Sequence, residues 1–374
     1  MKINLHTSRA QAALSSAAAV VSQRAILPMM SNALLRAEGD RLTVYAANDA
    51  LTVSLQVAAH VSEPGSVTLP ARRVSSICAE LMGENLAIEA SASGARILLA
   101  SASSRFTING LLASEFPVQP HEVKDASTRR VKQSALVDAL KEVVKATSRD
   151  EARPVMQGVF FEWEGEMLTL VATDGRRLIR SSVVTGGEGK AGFIVPARAV
   201  AYLQSVLGHG AEVQISADAR AAVFVIDSDP TGPFSGPITV TLRLVEGTFP
   251  AYRQVIPKNL PVAVQVRREE LLAAVQRAAL VCSPKHSSVT LKVGAAGIQL
   301  TVKNPDMGES DEMVPVQSMT GEPVTVRFNP GFLVDSLSSL TFDEVVLQLK
   351  DSASPLKIEI GDRYTGVIMP VRLE

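Results

Sequence analysis

The chain has 374 residues, 46% of them apolar and 20% charged, which suffices for two or three domains with their own cores and excludes a disordered chain. Aromatic residues make up 4%, too few for a carbohydrate-stacking surface or an aromatic platform for unpaired bases. The net charge of −1 excludes a global attraction to nucleic acid and leaves the distribution of charge as the question.

From the N-terminus, a strand over 3–5 leads into a helix over 8–24 with Leu14, Ala17, Ala18 and Val21 on one face. This stretch weakly imitates a signal peptide, but serines interrupt it. No apolar run is long enough to span a bilayer, so a cytoplasmic protein is expected. Residues 33–45 read as two strands around Gly39-Asp40, and 67–82 as a strand running into a helix with Pro70 at its entry, where the missing N–H costs nothing. Strands over 86–90, 95–100 and 104–109 follow, and the unit closes on Glu115-Phe116-Pro117.

The unit then recurs. Ile194-Val195-Pro196-Ala197-Arg198 restates the Pro70 segment 126 positions later, and Phe328-Asn329-Pro330 restates it 134 positions after that. The closing phrase returns as Gly247-Thr248-Phe249-Pro250 and, with Met for Phe, as Met369-Pro370. Helices over 132–149 and 267–285 open the later copies. Three tandem modules of about 125 residues, spanning 1–124, 125–258 and 259–374, are therefore expected, each with two helices and two sets of strands. This is an α+β class. Six half-modules predict six small antiparallel sheets, arranged as one helical layer and one sheet layer.

Near the middle of the chain, Leu170-Val171-Ala172-Thr173-Asp174-Gly175-Arg176-Arg177-Leu178 reads as a hairpin. Two alternating runs flank an Asp-Gly turn that presents a backbone edge, two guanidiniums and Leu178 to a partner.

Charge is sorted along the chain. Over 8–24, 71–82, 132–149, 197–208, 267–285 and 329–340, the six expected helices hold thirteen basic and six acidic residues, a surplus of +7 that leaves −8 elsewhere. In 132–149, Leu136, Leu140, Val143 and Val144 form the buried stripe, while Lys141 and Lys145 lie one turn apart on a solvated face. Basic helices without aromatic or groove-inserting motifs predict contact with phosphates irrespective of sequence, weakened by salt.

Three other signals carry no chemistry. Gly187-Glu188-Gly189-Lys190-Ala191-Gly192 matches a dinucleotide fingerprint but precedes a strand, so it reads as a flexible loop. Cys282 and His286 lack a third group or an oxyanion motif, and Cys78 and Cys282 read as buried thiols. The remaining histidines are scattered, so no metal, cofactor or catalytic constellation is expected.

The three modules, Thr173-Asp174-Gly175-Arg176-Arg177-Leu178, Asp150-Glu151-Ala152-Arg153-Pro154-Val155-Met156-Gln157-Gly158, Gly247-Thr248-Phe249-Pro250-Ala251-Tyr252-Arg253-Gln254-Val255-Ile256-Pro257 and Val367-Ile368-Met369-Pro370-Val371-Arg372-Leu373 together resemble the bacterial sliding clamps, the beta subunits of DNA polymerase III. The resemblance covers the whole chain. It implies three repeats of the DNA-clamp fold, helices lining a hole and antiparallel sheets outside, in a ring closed by head-to-tail dimerisation. It further implies a non-enzymatic processivity factor that encircles double-stranded DNA without sequence preference. Its partners would be the polymerase III alpha subunit, other polymerases and the clamp loader, with no cofactor and no membrane.

Carried over residue by residue, the resemblance places a partner-peptide cleft between modules 2 and 3. One wall is the hairpin and the opposite wall the last seven residues. The cleft would use Met156, Thr173, Gly175, Arg176, Arg177, Leu178, Pro250, Val255, Phe332, Val367, Ile368, Met369, Pro370, Val371, Arg372 and Leu373 as an apolar groove with polar anchors. The DNA-facing residues would be Arg24, Arg73, Lys141, Lys145, Arg149, Arg153 and Arg198, and the dimer contact Phe106 against Leu280 and Val281. The family often has His where Arg176 stands and a second basic residue where Gln254 stands, and it usually ends at the position of Leu373, before Glu374. These departures bear on peptide preference. A repeat-built adaptor that binds peptides without encircling DNA is the alternative reading, and a DNA-modifying enzyme lacks residues to carry its chemistry.

Overall fold

The computed structural model describes residues 1–22, 28–91, 96–116, 123, 127–284 and 286–371. Among them are six helices: α1 (Thr7–Val20), α2 (Ala71–Glu80), α3 (Gln133–Val144), α4 (Ala197–Val206), α5 (Arg268–Ala279) and α6 (Pro330–Ser338). They stand where the repeat predicts, but each is shorter. After α3, the N–H groups of Ala146 and Thr147 turn back to the carbonyls of Val143 and Val144, and the Thr147 hydroxyl donates to Val144 as well. After α5, Leu280, Val281 and Cys282 close the same tight i→i−3 bonds. Entry is set locally too: Asn329 Oδ1 accepts from Gly331 N–H at 2.8 Å and Pro330 occupies the first turn of α6.

Shorter helices correct the charge reading. As folded, the six helices hold seven basic against six acidic residues, because Lys132, Lys145, Arg149 and Arg267 lie just outside the helix ends. The cations belong mainly to helix ends and the turns beside them. Arg24 and Lys285 lie outside the described residues.

The described chain comprises two compact units, Met1–Val137 with Thr185–Gly187 and Arg198–Val245, and Asp138–Val184 with Glu188–Ala197 and Glu246–Glu374. The first holds an eight-stranded antiparallel sheet in the order Ser127–Lys132, Glu212–Ala217, Ala221–Ile226, Ile238–Arg243, Leu51–Ala58, Arg41–Ala47, Asn32–Glu38, Gly65–Pro70. It also holds a five-stranded sheet that ends on Ser104–Asn109. The second holds a nine-stranded sheet, in which Lys190–Pro196, Gly158–Glu164, Met167–Thr173 and Arg177–Val184 are followed by Tyr364–Ile368, Leu356–Ile360, Glu344–Leu349, Val262–Arg267 and Ser318–Thr320. Its four-stranded sheet ends on Gly308–Val314.

The expected six small sheets are thus four among the described residues, because half-module sheets fuse across repeat boundaries. Val240 pairs with Val53 and Leu242 with Leu51 in the first unit, and Arg177 pairs with Ile368 and Leu178 with Val367 in the second. The physical reason is the cost of a free edge, whose unpaired N–H and C=O groups are satisfied by the edge of the neighbouring repeat. Alternation then buries one face: Leu51, Val53, Leu55 and Val57 point into the core beneath α1, whose Ala10, Ala13, Leu14 and Ala17 follow helical spacing.

The glycine-rich segment is not a free loop. Gly186 and Gly187 adopt positive φ, Arg129 Nη1 donates to the Gly186 carbonyl at 3.0 Å, and the guanidinium fills the space a Cβ on Gly187 would need. Cys282 lies near the Ala278 and Ser288 carbonyls, and burial pushes its thiol up, away from a nucleophilic thiolate. No helix among the described residues is long and apolar enough to cross a membrane, and none of their acidic, His and Cys side chains form a metal-holding group of three or more.

In the second unit, Glu142 of α3 is 1% exposed, accepts from Ser181 Oγ at 2.6 Å and pairs with Arg363 Nη2 at 2.9 Å. Burial raises its carboxyl above the ordinary 4.5, against the opposing pull of Ser181 and Arg363. A raised folded-state value stabilises below the unfolded value and is lost as pH climbs through the folded one. Glu142→Gln is therefore expected to flatten the decline in thermal midpoint as pH rises from about 4.5. Parallel pH profiles for the variant and the wild type would contradict this.

Candidate functional site

The central hairpin is built on its own side chains. Met167–Thr173 pairs with Arg177–Val184, leaving Asp174, Gly175 and Arg176 as the loop. Gly175 sits at φ +85°, a conformation that favours glycine. Asp174 Oδ1 accepts the N–H groups of Arg176 and Arg177, each at 2.9 Å. The Thr173 hydroxyl donates to the Arg177 carbonyl at 2.7 Å and accepts from Gly175 N–H at 3.1 Å. The turn is closed by Asx and hydroxyl bonds.

Arg177 is not presented to a partner. Its side chain is 9% exposed, with Nε on Asp174 Oδ2 at 3.0 Å, Nη1 on Asp335 Oδ2 at 2.7 Å and Nη2 donating to the Lys145 carbonyl. The guanidinium stacks 4.5 Å from the centre of the Phe332 ring. One fork therefore ties the hairpin to α6 and to the turn after α3. Leu178 is also buried, so of the turn only Gly175 and Arg176 are exposed.

The terminal segment is the hairpin's neighbour rather than a facing wall. Tyr364–Ile368 pairs along Arg177–Val184, and Met369 N–H continues the ladder by donating to the Arg176 carbonyl at 2.9 Å. Val371 N–H donates to Arg327 at 2.9 Å. Val367 and Ile368 are buried, whereas Met369 and Val371 are 45% and 40% exposed and Pro370 is half-buried. Arg372 and Leu373 lie outside the described residues.

Pro250 and Val255 ride on a segment fastened to Gly158–Glu164. Phe249 stacks on Phe160 at 4.9 Å, Tyr252 donates to Glu162 at 2.6 Å, and Arg253 forks onto Glu162 and Glu164. Burial first, then the bond to Glu162, pushes the Tyr252 phenol up. Val255 is left 55% exposed and Pro250 half-buried. Gly247, at φ +124°, lets Val155 approach to 2.7 Å of where a Cβ would stand, which brings the Met156 turn alongside.

Beside the hairpin lies a cavity of about 440 Å³ whose lining includes Asp150, Arg153, Asp174, Gly175, Arg176 and Phe332. Arg153, expected with the DNA-facing group, stands here, its Nη1 at 3.2 Å from the position of a Cβ on Gly175. This part of the site is polar, unlike the apolar groove expected. Asp174, Asp335 and Asp150 were not singled out beforehand. Asp335 is 158 positions from Arg177, and no spacing rule links them.

Arg73, Lys141, Lys145, Arg149 and Arg198 are exposed and form no ion pair with another described residue. Lys145 Nζ donates to Ser338 Oγ at 2.9 Å. Phe106 is 38% exposed on the edge strand Ser104–Asn109 and shares a cavity of about 590 Å³ with Arg72 and Arg73 of α2. Leu280, beyond α5, is 76% exposed, and the Val281 carbonyl accepts from Asn304 at 2.8 Å.

Removing Arg177 strands two carboxylates in a mostly buried setting, so Arg177→Ala is expected to cost about 3 kcal/mol, and Arg177→Lys to recover little because an ammonium cannot fork. Trp163, the single tryptophan, is 1% exposed in the same unit and reports urea unfolding. An unchanged midpoint for Arg177→Ala would show that the fork does not hold the site together.

Three family models match the chain in tandem: the N-terminal domain of the DNA polymerase III beta subunit over residues 1–120, its central domain over 130–251 and its C-terminal domain over 253–372. The Beta sliding clamp of Escherichia coli K12 is 32% identical over 362 residues, 94% of both chains, and that of Vibrio cholerae is 29% identical over 380 residues, covering 100% of both. A solved structure of the sliding clamp from Pseudomonas aeruginosa bound to griselimycin matches at a TM-score of 0.91 and 27% identity, covering 100% of both chains. Full-length coverage in all three domains makes this chain a member of the DNA polymerase III beta subunit family, with its three-domain sliding-clamp fold of helices and antiparallel sheets.

Proposed function

We propose that the chain is a DNA sliding clamp, a non-enzymatic processivity factor that encircles duplex DNA as a head-to-tail dimer and tethers polymerases and the clamp loader through a peptide cleft. Domains run over 1–124, 125–258 and 259–374, with helices toward DNA and sheets outward. The observation that carries the reading is a pair of complementary open edges. Ser104–Asn109 ends the five-stranded sheet and bears Arg105 and Phe106, with Arg72 and Arg73 beside Phe106. Gly308–Val314 ends the four-stranded sheet and bears Glu309, Asp311 and Glu312, with Glu269 and Glu270 lining a cavity against Met313. Joining the basic edge of one copy to the acidic edge of another, with Phe106 against Leu280 and Val281, satisfies both rows of backbone groups. Because the two edges differ, the contact is heterologous and avoids a filament only by closing after two chains.

A clamp must persist on DNA without reading it. Arg24, Arg73, Lys141, Lys145, Arg149 and Arg198 suit that task, since exposed cations without fixed partners give weak, screened centring on phosphates and no barrier at each base step. The cleft comprises Met156, Thr173, Gly175, Arg176, Arg177, Leu178, Pro250, Val255, Phe332 and the segment from Val367 to Leu373. Val255, Met369 and Val371 offer apolar contact, while the buried members hold the frame. Flexible aliphatic and Met walls suit several client peptides.

Native mass spectrometry should read twice the 39.7 kDa chain mass for the wild type and a single chain for Arg105→Glu, with partial recovery when Glu309→Arg and Asp311→Arg are added. A single-chain wild type would overturn the dimer. Reversing charge at Lys141 and Lys145 should lower the slope of log affinity for duplex DNA against log salt by about 2, leaving the dimer mass unchanged. An unchanged slope would remove both lysines from the DNA-facing set.

A further inference from the structure

Around the hairpin cavity, every carboxylate already has a partner. Asp174 holds two turn N–H groups and Arg177 Nε, Asp335 holds Arg177 Nη1, and Asp150 accepts Ala152 N–H while lying 3.4 Å from Arg153 Nε. Arg176 differs from all of them. Its backbone is pinned on both sides, the N–H to Asp174 and the carbonyl to Met369, yet its exposed guanidinium makes no bond with another described residue. Arg153 faces the same cavity, held over Gly175, and the Phe332 ring forms an apolar side of it. A fixed root with a free fork, beside a second guanidinium and an aromatic face, fits a carboxylate adjacent to an apolar side chain.

We infer that Arg176, with Arg153, selects client peptides that carry an Asp or Glu side chain next to their apolar anchor. This rests on the cleft reading above and gives it a chemical preference. Arg176 contacts the ligand and sets specificity, while apolar contact at Val255 and Met369 supplies the anchor. A neutral imidazole at position 176 would lack both the permanent charge and the fork, so Arg176→His is expected to lose the preference at neutral pH.

The test is selection of a displayed library of ten-residue peptides, flanked on both sides so that no free C-terminus is offered, on the full chain and on Arg176→Gln. Peptides from the wild type should carry Asp or Glu at a fixed distance from an apolar residue. Exchanging that acid for Asn or Gln should weaken binding about fivefold on the wild type, the size of a well-made exposed pair, and not at all on Arg176→Gln. Equal affinity for the acidic and amide peptides on the wild type overturns the inference while leaving the cleft standing. So does a preference seen only when the acid is a free C-terminal carboxylate in an unflanked copy of the peptide, or an Arg176→Gln effect confined to a short duplex DNA. Selected peptides whose binding is unchanged by Met369→Asp and Val255→Asp would instead overturn the cleft reading.

Discussion

A sheet edge cannot be left bare, and that constraint organises this chain. Each repeat brings short strands whose outer backbone groups need partners. The repeats supply them to one another: Ile238–Arg243 closes on Leu51–Ala58 in one unit, and Arg177–Val184 closes on Tyr364–Ile368 in the other. The edges Ser104–Asn109 and Gly308–Val314 end their sheets with no strand beyond them among the described residues, and they carry opposite charge. Association of two copies follows from the same rule that joins the repeats.

The candidate cleft inherits its rigidity from this pairing. Because the hairpin and the terminal strand are neighbours in one ladder, a displacement of either moves the other. Arg177 adds a side-chain tie from the hairpin to α6 and to the turn after α3, so the exposed members Arg176, Met369 and Val371 stand on a frame whose polar groups are matched. Buried residues of the site act as framework, and the few exposed ones are left for recognition.

Much of this was legible in the sequence. Helical spacing and the recurrence of Pro70, Pro196 and Pro330 located six helices, and alternation located the hairpin, because both patterns are local. Sheet fusion was not legible, since nothing near Val240 indicates that it pairs with Val53 rather than with solvent. The charge surplus was misplaced because the helix pattern runs past the true ends, where Thr147 and the tight turns after Val144 and Ala279 stop it. Arg177 looked exposed for a related reason: a hairpin tip is normally solvated, and only Asp335 and Phe332, distant in sequence, bury it. The family resemblance located the site correctly enough to find these residues but did not say which would be framework and which surface.

Topology on DNA is the most direct measurement of an enclosing role. With the chain loaded by a clamp loader and ATP onto a nicked circular duplex, retention through gel filtration should be long-lived at moderate salt, and one restriction cut in the circle should release the protein from the free ends. Retention that survives linearisation, or that never forms on an uncut circle, would contradict a ring around DNA.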